Sequence, residues 1–451
     1  MSDIIAAIAT GRAPCAIGIL RLSGPGCAAL TGRVFTPKQP FADAPDRRLV
    51  LGLLHDRQGR VIDECLGVVC RAPHSYTGEE TVELQCHGSP AMLAAGLESL
   101  LAAGARQAGP GEFTRRAFLN GKLDLTQAEA VVDLIDAETA DAAANAAGQL
   151  GGALKRSIGP VYDGLTDLCS HFHAVLDYPD EDIEDFGAAE LSGALDRAGA
   201  ALQELLATYE KGRHLRQGVR AVLLGKPNAG KSSLLNRLAG YDRVIVTDIA
   251  GTTRDTVEEP VRVGRVLLRL TDTAGIREAG DAIEALGVAR SVQAAREAEL
   301  ALFVCDASQP LTDEDRRAIE AAKCAPRSLA LCNKSDLPAA VSPDELPFDT
   351  VLTVSARTGA GLDALPALLE GWFLGENACD GSLLTNPRQF GALDRASRAI
   401  ERAKTGLGLG VTPDAVLTDV EEAMAALGEV TGRTVREDIT NRIFERFCVG
   451  K

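Results

Sequence analysis

A nine-residue segment in the middle of the chain, Gly225–Ser233, has the residue types and spacing of a phosphate-binding loop, G-x-x-x-x-G-K-S. Glycines let the backbone curl so that successive N–H groups point at phosphate oxygens. The lysine places a positive charge beside the β- and γ-phosphates, and the serine hydroxyl that follows can ligate Mg²⁺. The predicted phosphate-binding residues are Asn228, Ala229, Gly230, Lys231, Ser232 and Ser233.

The segments on either side of this loop have the patterns needed to position it. Ala221–Leu224 is a short apolar run, which predicts a buried strand entering the loop. Ser233–Leu238 has a helical pattern, so we expect a helix to leave the loop with its N-terminus facing the phosphate charge. This strand–loop–helix context favours a nucleotide site over a chance match.

Three more polar segments follow apolar runs further along the chain. An aspartate at such a strand end can hold Mg²⁺ through water, and the glycine of D-x-x-G can reach a γ-phosphate. The carboxylate of Asp336 can accept two N–H bonds from guanine, whereas adenine offers no such donor pair. Each pattern is weak alone, but their order predicts a GTP site of the translation-factor type. The three segments consist of Asp272, Thr273, Ala274 and Gly275; Asn333, Lys334, Ser335 and Asp336; and Ser355, Ala356 and Arg357.

The group that activates water is less evident from the pattern. Many small GTPases carry a glutamine directly after D-x-x-G, but here the position is Ile276, whose apolar side chain cannot polarise water. Glu284, nine residues past Gly275, is a candidate to position the attacking water through a second water. The alternative is that Glu284 lies on the exposed face of a helix.

A loop rich in hydroxyls lies between the phosphate-binding segment and D-x-x-G. Such a loop can close over a γ-phosphate, with a threonine on Mg²⁺, and reopen after hydrolysis. The alternative is a polar surface loop. Its predicted nucleotide-binding residues are Thr247, Asp248, Ile249, Ala250, Gly251, Thr252 and Thr253.

Composition limits the class of protein. A formal net charge of −16 argues against a free-standing nucleic-acid binder, so contact with RNA needs a local basic patch or a partner. The N-terminus lacks a basic signal-peptide region, and no run of about 18 apolar residues is present, so we expect no membrane span. The 11 cysteines form no C-x-x-C pair and, together with a GTP site, predict a cytoplasmic protein with free thiols.

Pattern changes along the chain predict a multidomain α/β and α protein. Residues 1–120 mix strands and helices, as in an α+β domain, and residues 121–214 are rich in alanine and leucine at helical spacing. Residues 215–375 alternate strands with helices, which predicts a GTPase domain with a mostly parallel sheet. Residues 376–451 return to helical patterns. We therefore expect a helical domain interrupted by the GTPase domain.

Three other features leave alternatives open. The runs Tyr76–Leu84 and Pro110–Leu125 combine charge with apolar residues, as in a pocket for an anionic aromatic ligand, or they cap helices. Cys448, close to the terminal Lys451, is a reactive thiol with a lowered pKa, or it is a buried or idle cysteine, which the residues alone favour. The acidic stretch Asp177–Asp185 is a solvated loop or a metal site, of which the loop is favoured.

Taken together, these segments resemble the MnmE (TrmE) family of tRNA modification GTPases over essentially the whole chain. The resemblance implies a folate-binding N-terminal α+β domain that also forms a homodimer, a helical domain and an inserted P-loop GTPase domain. It also implies potassium-stimulated GTP hydrolysis that works with a flavin-dependent, MnmG-like partner containing FAD. The product is an aminomethyl or carboxymethylaminomethyl group at C5 of the wobble uridine of tRNA. Its one-carbon unit comes from 5-formyl- or 5,10-methylene-tetrahydrofolate.

The same resemblance implies roles for individual residues. Glu284 matches the position for water activation, and Cys448 matches the cysteine of the terminal C-x-G-K motif. The stretches Gly11–Ala16 and Gln85–Ser89 depart from the family's more glycine-rich form near the folate pocket. The implied ligand sets are Ser232 and Thr253 for Mg²⁺; Asn228, Thr247, Ile249 and Thr252 for K⁺; and Arg21, Glu83, Lys122 and Lys451 for folate.

Two competing functions make different predictions. A GTP-gated RNA-binding or ribosome-assembly factor has no modification chemistry of its own and is expected to carry a basic appendix, of which this sequence shows none. A dimeric scaffold with GTP as a folding ligand predicts little hydrolysis, against which Glu284 and the Thr252–Thr253 loop argue.

Overall fold

The polypeptide forms two compact units, each built from separated stretches of sequence. The computed structural model describes residues 3–11, 13–38, 45–177, 188–241, 258–271, 284–375, 380–434, 443–445 and 447–450. The first unit contains Met1–Val132, Ile158–Asp185 and Gly406–Lys451, and the second contains Asp133–Ser157 and Phe186–Thr405.

The secondary structure elements are numbered in chain order. The strands are β1 (Ile5–Ile8), β2 (Cys15–Ser23), β3 (Phe35–Pro37), β4 (Val50–His55), β5 (Val61–Cys70), β6 (Thr81–Gly88), β7 (Arg106–Gln107), β8 (Val219–Leu224), β9 (Glu258–Val263), β10 (Val266–Thr271), β11 (Leu300–Asp306), β12 (Arg327–Asn333) and β13 (Val351–Thr353). The helices are α1 (Cys27–Thr31), α2 (Pro90–Ala102), α3 (Glu112–Leu119), α4 (Leu125–Ile135), α5 (Ala140–Leu150), α6 (Ala153–Asp177), α7 (Ala188–Leu206), α8 (Tyr209–Gln217), α9 (Lys231–Tyr241), α10 (Glu284–Glu297), α11 (Asp313–Ala322), α12 (Ala364–Phe373), α13 (Pro387–Gly408) and α14 (Pro413–Thr431).

The first unit is built on a largely antiparallel sheet with the strand order β3-β4-β5-β6-β2-β1-β7. Strands β5 and β6 alternate between buried and more exposed positions, as expected for a sheet with one covered face. Helix α2 covers that face, and the close approach needs small residues. A Cβ at Gly96 of α2 would lie 2.7 Å from Leu20 of β2. The predicted α+β character of this region is confirmed.

The C-terminal segment packs into the first unit as well. Phe444 and Phe447 form a buried cluster with Ala128 of α4. Gly432, which ends α14 with a φ of 89°, allows the chain to pass Phe118, because a Cβ there would lie 2.7 Å from its ring. Residues 125–132 therefore belong with the C-terminal segment, whereas Asp133–Ser157 belong to the second unit.

The second unit contains a sheet whose described strands lie in the order β13-β12-β11-β8-β10-β9. The strands pair in parallel, except for β9, which pairs antiparallel with β10. All seven residues of β11 are buried, as expected for a strand covered on both faces. The predicted mostly parallel sheet is confirmed.

Charged contacts join helix α8 to Glu299, the residue that precedes strand β11 of this sheet. Arg213 Nη2 and His214 Nε2 donate hydrogen bonds of 2.5 and 3.0 Å to the carboxylate of Glu299, just before β11. Burial raises the pKa of Glu299, but the bonds from His214, Arg213 and the backbone N–H of Arg220 outweigh it and hold that pKa well below its usual range. Among the described helices, none combines the length and apolarity required to cross a bilayer.

Candidate functional site

The phosphate-binding segment has the predicted strand–loop–helix context. Strand β8 leads into it, and helix α9 begins at Lys231, two residues earlier than the sequence pattern indicated. Gly225 and Gly230 have φ values of 144° and 99°. A Cβ at Gly225 would lie 2.1 Å from the carbonyl oxygen of Val304, so neither the conformation nor the space admits another residue there.

The charge of the loop is concentrated at its C-terminal end. Lys231 Nζ donates hydrogen bonds of 2.5 and 2.8 Å to the carbonyl oxygens of Gly225 and Lys226, which hold the ammonium group over the loop. Ser232 and Ser233 are exposed in the first turn of α9, where helix N–H groups point toward the N-terminus. A lysine, two hydroxyls and a helix N-terminus fit the phosphates of a nucleotide and the Mg²⁺ bound to them.

Asn333 connects the phosphate loop with the two segments predicted to recognise the base. It is 2% exposed and ends strand β12. Its Nδ2 donates a 2.9 Å hydrogen bond to the carbonyl oxygen of Ala229, and its Oδ1 accepts one of 2.9 Å from the backbone N–H of Ala356. Gly230 leaves room for this amide, since a Cβ there would lie 2.1 Å from Asn333 Nδ2.

Asp336 is held as a carboxylate at the edge of the site. The hydroxyl of Ser355 donates a 2.6 Å hydrogen bond to Asp336 Oδ1, and Arg357 Nη2 lies 2.5 Å from Asp336 Oδ2. The bond from Ser355, with a contribution from the charge of Arg357, lowers the pKa of Asp336. An ionised acceptor of this kind suits the two N–H donors of guanine.

The adjacent strands also fix the other residues of the N-K-S-D segment, Asn333–Asp336. Lys334 has a φ of 67°, and its Nζ lies 2.5 Å from Asp306 Oδ2 at the end of β11. The backbone N–H of Ser335 donates a 3.1 Å hydrogen bond to the carbonyl oxygen of Val354. The segment therefore bends away from β12 in a defined conformation that holds Asp336 beside Ser355 and Arg357.

Two acidic residues beside the site were not predicted from the sequence. Asp306 pairs with Lys334, and the fully buried Asp315 accepts a 2.9 Å hydrogen bond from Lys226 Nζ. Thr312 and Asp315 form a capping box at the start of α11, which was the available signal in the sequence. The cavity beside them has a volume of about 410 Å³ and is lined by Lys226, Pro227, Asn228, Asp306, Gln309, Thr312, Asp313, Glu314 and Lys334.

Part of the predicted nucleotide site lies outside the described residues. Glu284 is the first residue of helix α10. The structure thus brings together the phosphate loop, the N-K-S-D segment and Ser355–Arg357, and it leaves the remaining assignments as predictions. Those outside are Thr247, Asp248, Ile249, Ala250, Gly251, Thr252, Thr253, Asp272, Thr273, Ala274, Gly275 and, at the C-terminus, Lys451.

A second polar cluster lies on the sheet of the first unit. Arg21 Nε donates a 2.8 Å hydrogen bond to Glu83 Oε1 across β2 and β6. The guanidinium of Arg21 also lies 5.8 Å from the ring centroids of Tyr76 and Phe113, which is the range of cation–π contacts. Lys122 Nζ donates a 3.2 Å hydrogen bond to the carbonyl oxygen of Pro73. The cation of Arg21, the carboxylate of Glu83 and the exposed ring of Tyr76 have the chemistry to bind an aromatic ligand with carboxylates.

The segment that contains Cys448 lies against the start of α3. The backbone N–H of Gly111 donates a 3.3 Å hydrogen bond to the carbonyl oxygen of Cys448, and Val449 forms a β-bridge with Pro110. Cys448 itself is exposed, so the buried alternative is wrong. Its chemical role stays a prediction.

Comparison with known proteins covers nearly the whole chain. The family model described as GTP-binding protein TrmE N-terminus matches residues 4–122, and the MnmE helical domain model matches residues 125–448. The chain is 45% identical over 465 residues to a protein named tRNA modification GTPase MnmE from Roseiflexus sp. (strain RS-1), covering 100% of this chain and 99% of that protein. It is 41% identical to the protein of the same name from Aquifex aeolicus (strain VF5), with 100% of both chains covered.

A solved structure also shows similarity, at a much lower level. Translation elongation factor SelB from Methanococcus maripaludis, in complex with the GTP analogue GppNHp, is 20% identical with a TM-score of 0.25 and covers 34% of this chain and 33% of its own. The full-length similarity at 41–45% identity and the two family models do not depend on that match. The chain belongs to the MnmE (TrmE) family of tRNA modification GTPases.

Proposed function

We propose that this protein hydrolyses GTP and uses the hydrolysis to drive modification of the wobble uridine of tRNA. The observation that carries the nucleotide assignment is the double hydrogen bond of Asn333, which sets the distance between the phosphate loop and the carboxylate of Asp336. Membership of the family supports the role in tRNA modification. Asp336 selects guanine, and Lys231 binds the β- and γ-phosphates.

Two metal ions fit the donors of the phosphate loop. Ser232, an exposed hydroxyl beside Lys231, and Thr253 would hold Mg²⁺, which neutralises charge on the β- and γ-phosphates. Asn228, with its amide exposed and a φ of 62°, would hold K⁺ together with Thr247, Ile249 and Thr252. That ion supplies positive charge where other GTPases insert an arginine. The pairing of two GTPase domains in a homodimer completes this arrangement.

Glu284 is the proposed water-positioning residue, because Ile276 cannot act as the hydrogen-bonding group after D-x-x-G. The Glu284→Ala variant is expected to keep its affinity for GTP and to lose turnover. Glu297→Ala, at the exposed other end of the same helix, is the matched control. Normal turnover in the Glu284→Ala variant would rule out Glu284 as the water-positioning residue. It would leave the proposed GTP-binding residues unaffected.

The polar cluster on the first unit is the proposed tetrahydrofolate site. The exposed aromatic ring of Tyr76 suits a pterin or benzoyl ring, and Arg21 and Lys122 suit its carboxylates. Bound 5-formyl- or 5,10-methylene-tetrahydrofolate supplies the one-carbon unit. In the cytoplasm, an FAD-containing, MnmG-like partner joins the homodimer to add the aminomethyl or carboxymethylaminomethyl group at C5 of uridine.

The test of this function is mass spectrometry of tRNA from cells that lack the protein. We expect unmodified wobble uridine, restored by the wild-type gene and not by Asp336→Asn. Fully modified tRNA in the deletion strain would overturn the proposed function. With purified protein, hydrolysis is expected to be markedly faster in K⁺ than in Na⁺, and equal rates would remove the role of K⁺.

A further inference from the structure

Three metal-ligating side chains meet on the sheet of the first unit. Asp63 and Cys65 lie on β5, and Cys86 lies on β6. One carboxylate oxygen and the two Sγ atoms all lie within 4.8 Å of one another. Both cysteines are 3% exposed, and the side chain of Asp63 is 7% exposed. Within the described ranges, no other group of three such residues is this close.

Strand register explains why residues so far apart in sequence share a site. Strands β5 and β6 are antiparallel, with Leu66 opposite Gln85. The next pair in the same register is Cys65 with Cys86, and Asp63, two residues along β5, projects from the same face. This is the face covered by α2, since both cysteines belong to the core cluster beneath that helix.

The spacing of the three ligand atoms is close to that of a zinc site. Zinc–sulfur bonds of about 2.3 Å and zinc–oxygen bonds of about 2.0 Å in a tetrahedron place ligand atoms about 3.3–3.8 Å apart. In the structure the three ligand atoms lie within 4.8 Å of one another, which is up to about 1 Å more than these zinc-site separations. Small changes in the side-chain torsions of the cysteines would close the difference without moving the strands.

Asp63 is oriented by His87 in the manner of a carboxylate ligand. The backbone N–H of His87 donates a 2.8 Å hydrogen bond to Asp63 Oδ2, and its Nδ1 lies 2.7 Å from Asp63 Oδ1. Each carboxylate oxygen keeps a further lone pair for a metal. Partners of this kind are common behind metal ligands and set their orientation.

A divalent cation bound between these groups would neutralise the carboxylate of Asp63 and bind both cysteines as thiolates. Two thiols that bind Zn²⁺ release two protons to solvent.

The surroundings of the two cysteines are apolar. Each cysteine lies opposite a glycine on its other neighbouring strand, Gly18 on β2 and Gly52 on β4. The space above these glycines is filled, because a Cβ at Gly18 would lie 2.4 Å from Leu93 and one at Gly52 would lie 2.5 Å from Phe35. Such a shell limits the access of bulk water to the three ligand atoms.

We propose that Asp63, Cys65 and Cys86 bind Zn²⁺, with water as the fourth ligand. The two thiolates select zinc over Mg²⁺ and Ca²⁺, which prefer oxygen ligands. The ion links β5 to β6 beneath α2 and stabilises the first unit. This site is independent of the proposed GTP hydrolysis.

The test uses the reduced, chelator-treated full-length protein and Co²⁺ as a spectroscopic probe. We expect one equivalent of Co²⁺ to give sulfur-to-metal charge-transfer absorption and the visible bands of a tetrahedral site, both abolished by added Zn²⁺. The Cys65→Ser/Cys86→Ser double variant should lose the signal, and Cys70→Ser, on the same strand, should keep it. His87→Ala is expected to weaken Zn²⁺ binding about 10–100-fold.

Three results would overturn the proposal. They are the absence of a saturable charge-transfer signal, an unchanged signal in the double variant, and a Cys65–Cys86 disulfide in the purified protein found by peptide mapping. If the double variant does not fold, alkylation of wild-type protein replaces it. Zn²⁺ is then expected to slow alkylation of Cys65 and Cys86, and equal alkylation with and without Zn²⁺ would reject the site.

Discussion

Asn333 Nδ2 donates a 2.9 Å hydrogen bond to the carbonyl oxygen of Ala229, so the base-recognition segment is tied directly to the phosphate loop. The other end of the same amide accepts a hydrogen bond from the backbone N–H of Ala356. The three segments follow different strands, β12, β8 and β13. One buried side chain therefore fixes the relative positions of the residues proposed to contact the phosphates and those proposed to contact the base.

Replacing Asn333 with alanine is expected to weaken binding of GDP and GTP by about tenfold or more. The change leaves the Ala229 carbonyl and the Ala356 N–H without their partner in a buried site, and each such group costs about 1–3 kcal/mol. Titration with a fluorescent GDP analogue measures the loss. Asn236→Ala, at an exposed position of α9, is the control and should bind normally. Equal affinity in both variants would show that the bridge is not needed for binding.

Replacing Asp336 with asparagine is expected to change the base preference of the site. The variant loses the carboxylate that accepts two N–H bonds, so GTP affinity should fall by about 3 kcal/mol, more than a hundredfold. Xanthosine triphosphate carries a carbonyl at C2, to which the new amide can donate, so its affinity should rise. Competition titrations with GTP, ATP and xanthosine triphosphate test this. Unchanged GTP selectivity would contradict the assignment, and the exposed Asp344→Asn serves as control.

Glu299 is expected to make the stability of the second unit depend on pH. Its folded-state pKa lies below the ordinary value of 4.5, so the folded state binds fewer protons than the unfolded state between the two values. The contribution of Glu299 is therefore complete above about pH 4.5 and is lost as the pH falls toward the folded-state pKa. Glu299→Gln should lower the free energy of unfolding by about 1–3 kcal/mol at pH 7, with a smaller difference at pH 3.

Urea unfolding at several pH values measures this difference. Glu297→Gln, at an exposed position two residues earlier, is the control and should unfold like the wild type. A difference between Glu299→Gln and wild type that stays constant from pH 7 to pH 3 would mean that the lowered pKa is not the source of the stabilisation.

Arg21→Ala is expected to reduce the affinity for 5-formyltetrahydrofolate by about tenfold or more. The variant removes the cation that lies against Tyr76 and Phe113, and a hydrogen bond to a charged group contributes about 1.5–3 kcal/mol. Calorimetric titration gives the affinity, and thermal unfolding checks that loss of the Glu83 partner has not disrupted the sheet. Arg33→Ala, an exposed arginine of the same unit, is the control. Unchanged affinity would place the ligand elsewhere.

The sequence predicted those parts of the site in which local pattern determines structure. Apolar runs that end in polar motifs predicted the strands at Gly225 and Asn333, because a strand buried in a parallel sheet is apolar. In such sheets the ligand-binding residues follow the carboxyl ends of the strands. The pairing of Lys226 with Asp315 was missed, since 89 residues separate them and a lysine in the loop carries no signal for its partner.

The cysteine cluster was missed for a related reason. The sequence shows no C-x-x-C pair, and the spacing of Cys65 and Cys70 on one strand gives no metal-binding pattern. Cys65 becomes a possible metal ligand only together with Cys86. This pairing depends on the register of β5 with β6, which no local sequence pattern determines.

Gly450 lies so close to β1 that a Cβ there would be 2.3 Å from the carbonyl oxygen of Ile8. Strand β1 therefore acquires this neighbour only after the chain has been synthesised through Gly450. The second unit, residues 133–157 and 186–405, is complete in sequence before that point. The N-terminal sheet consequently gains one of its contacts after every residue of the second unit has been made.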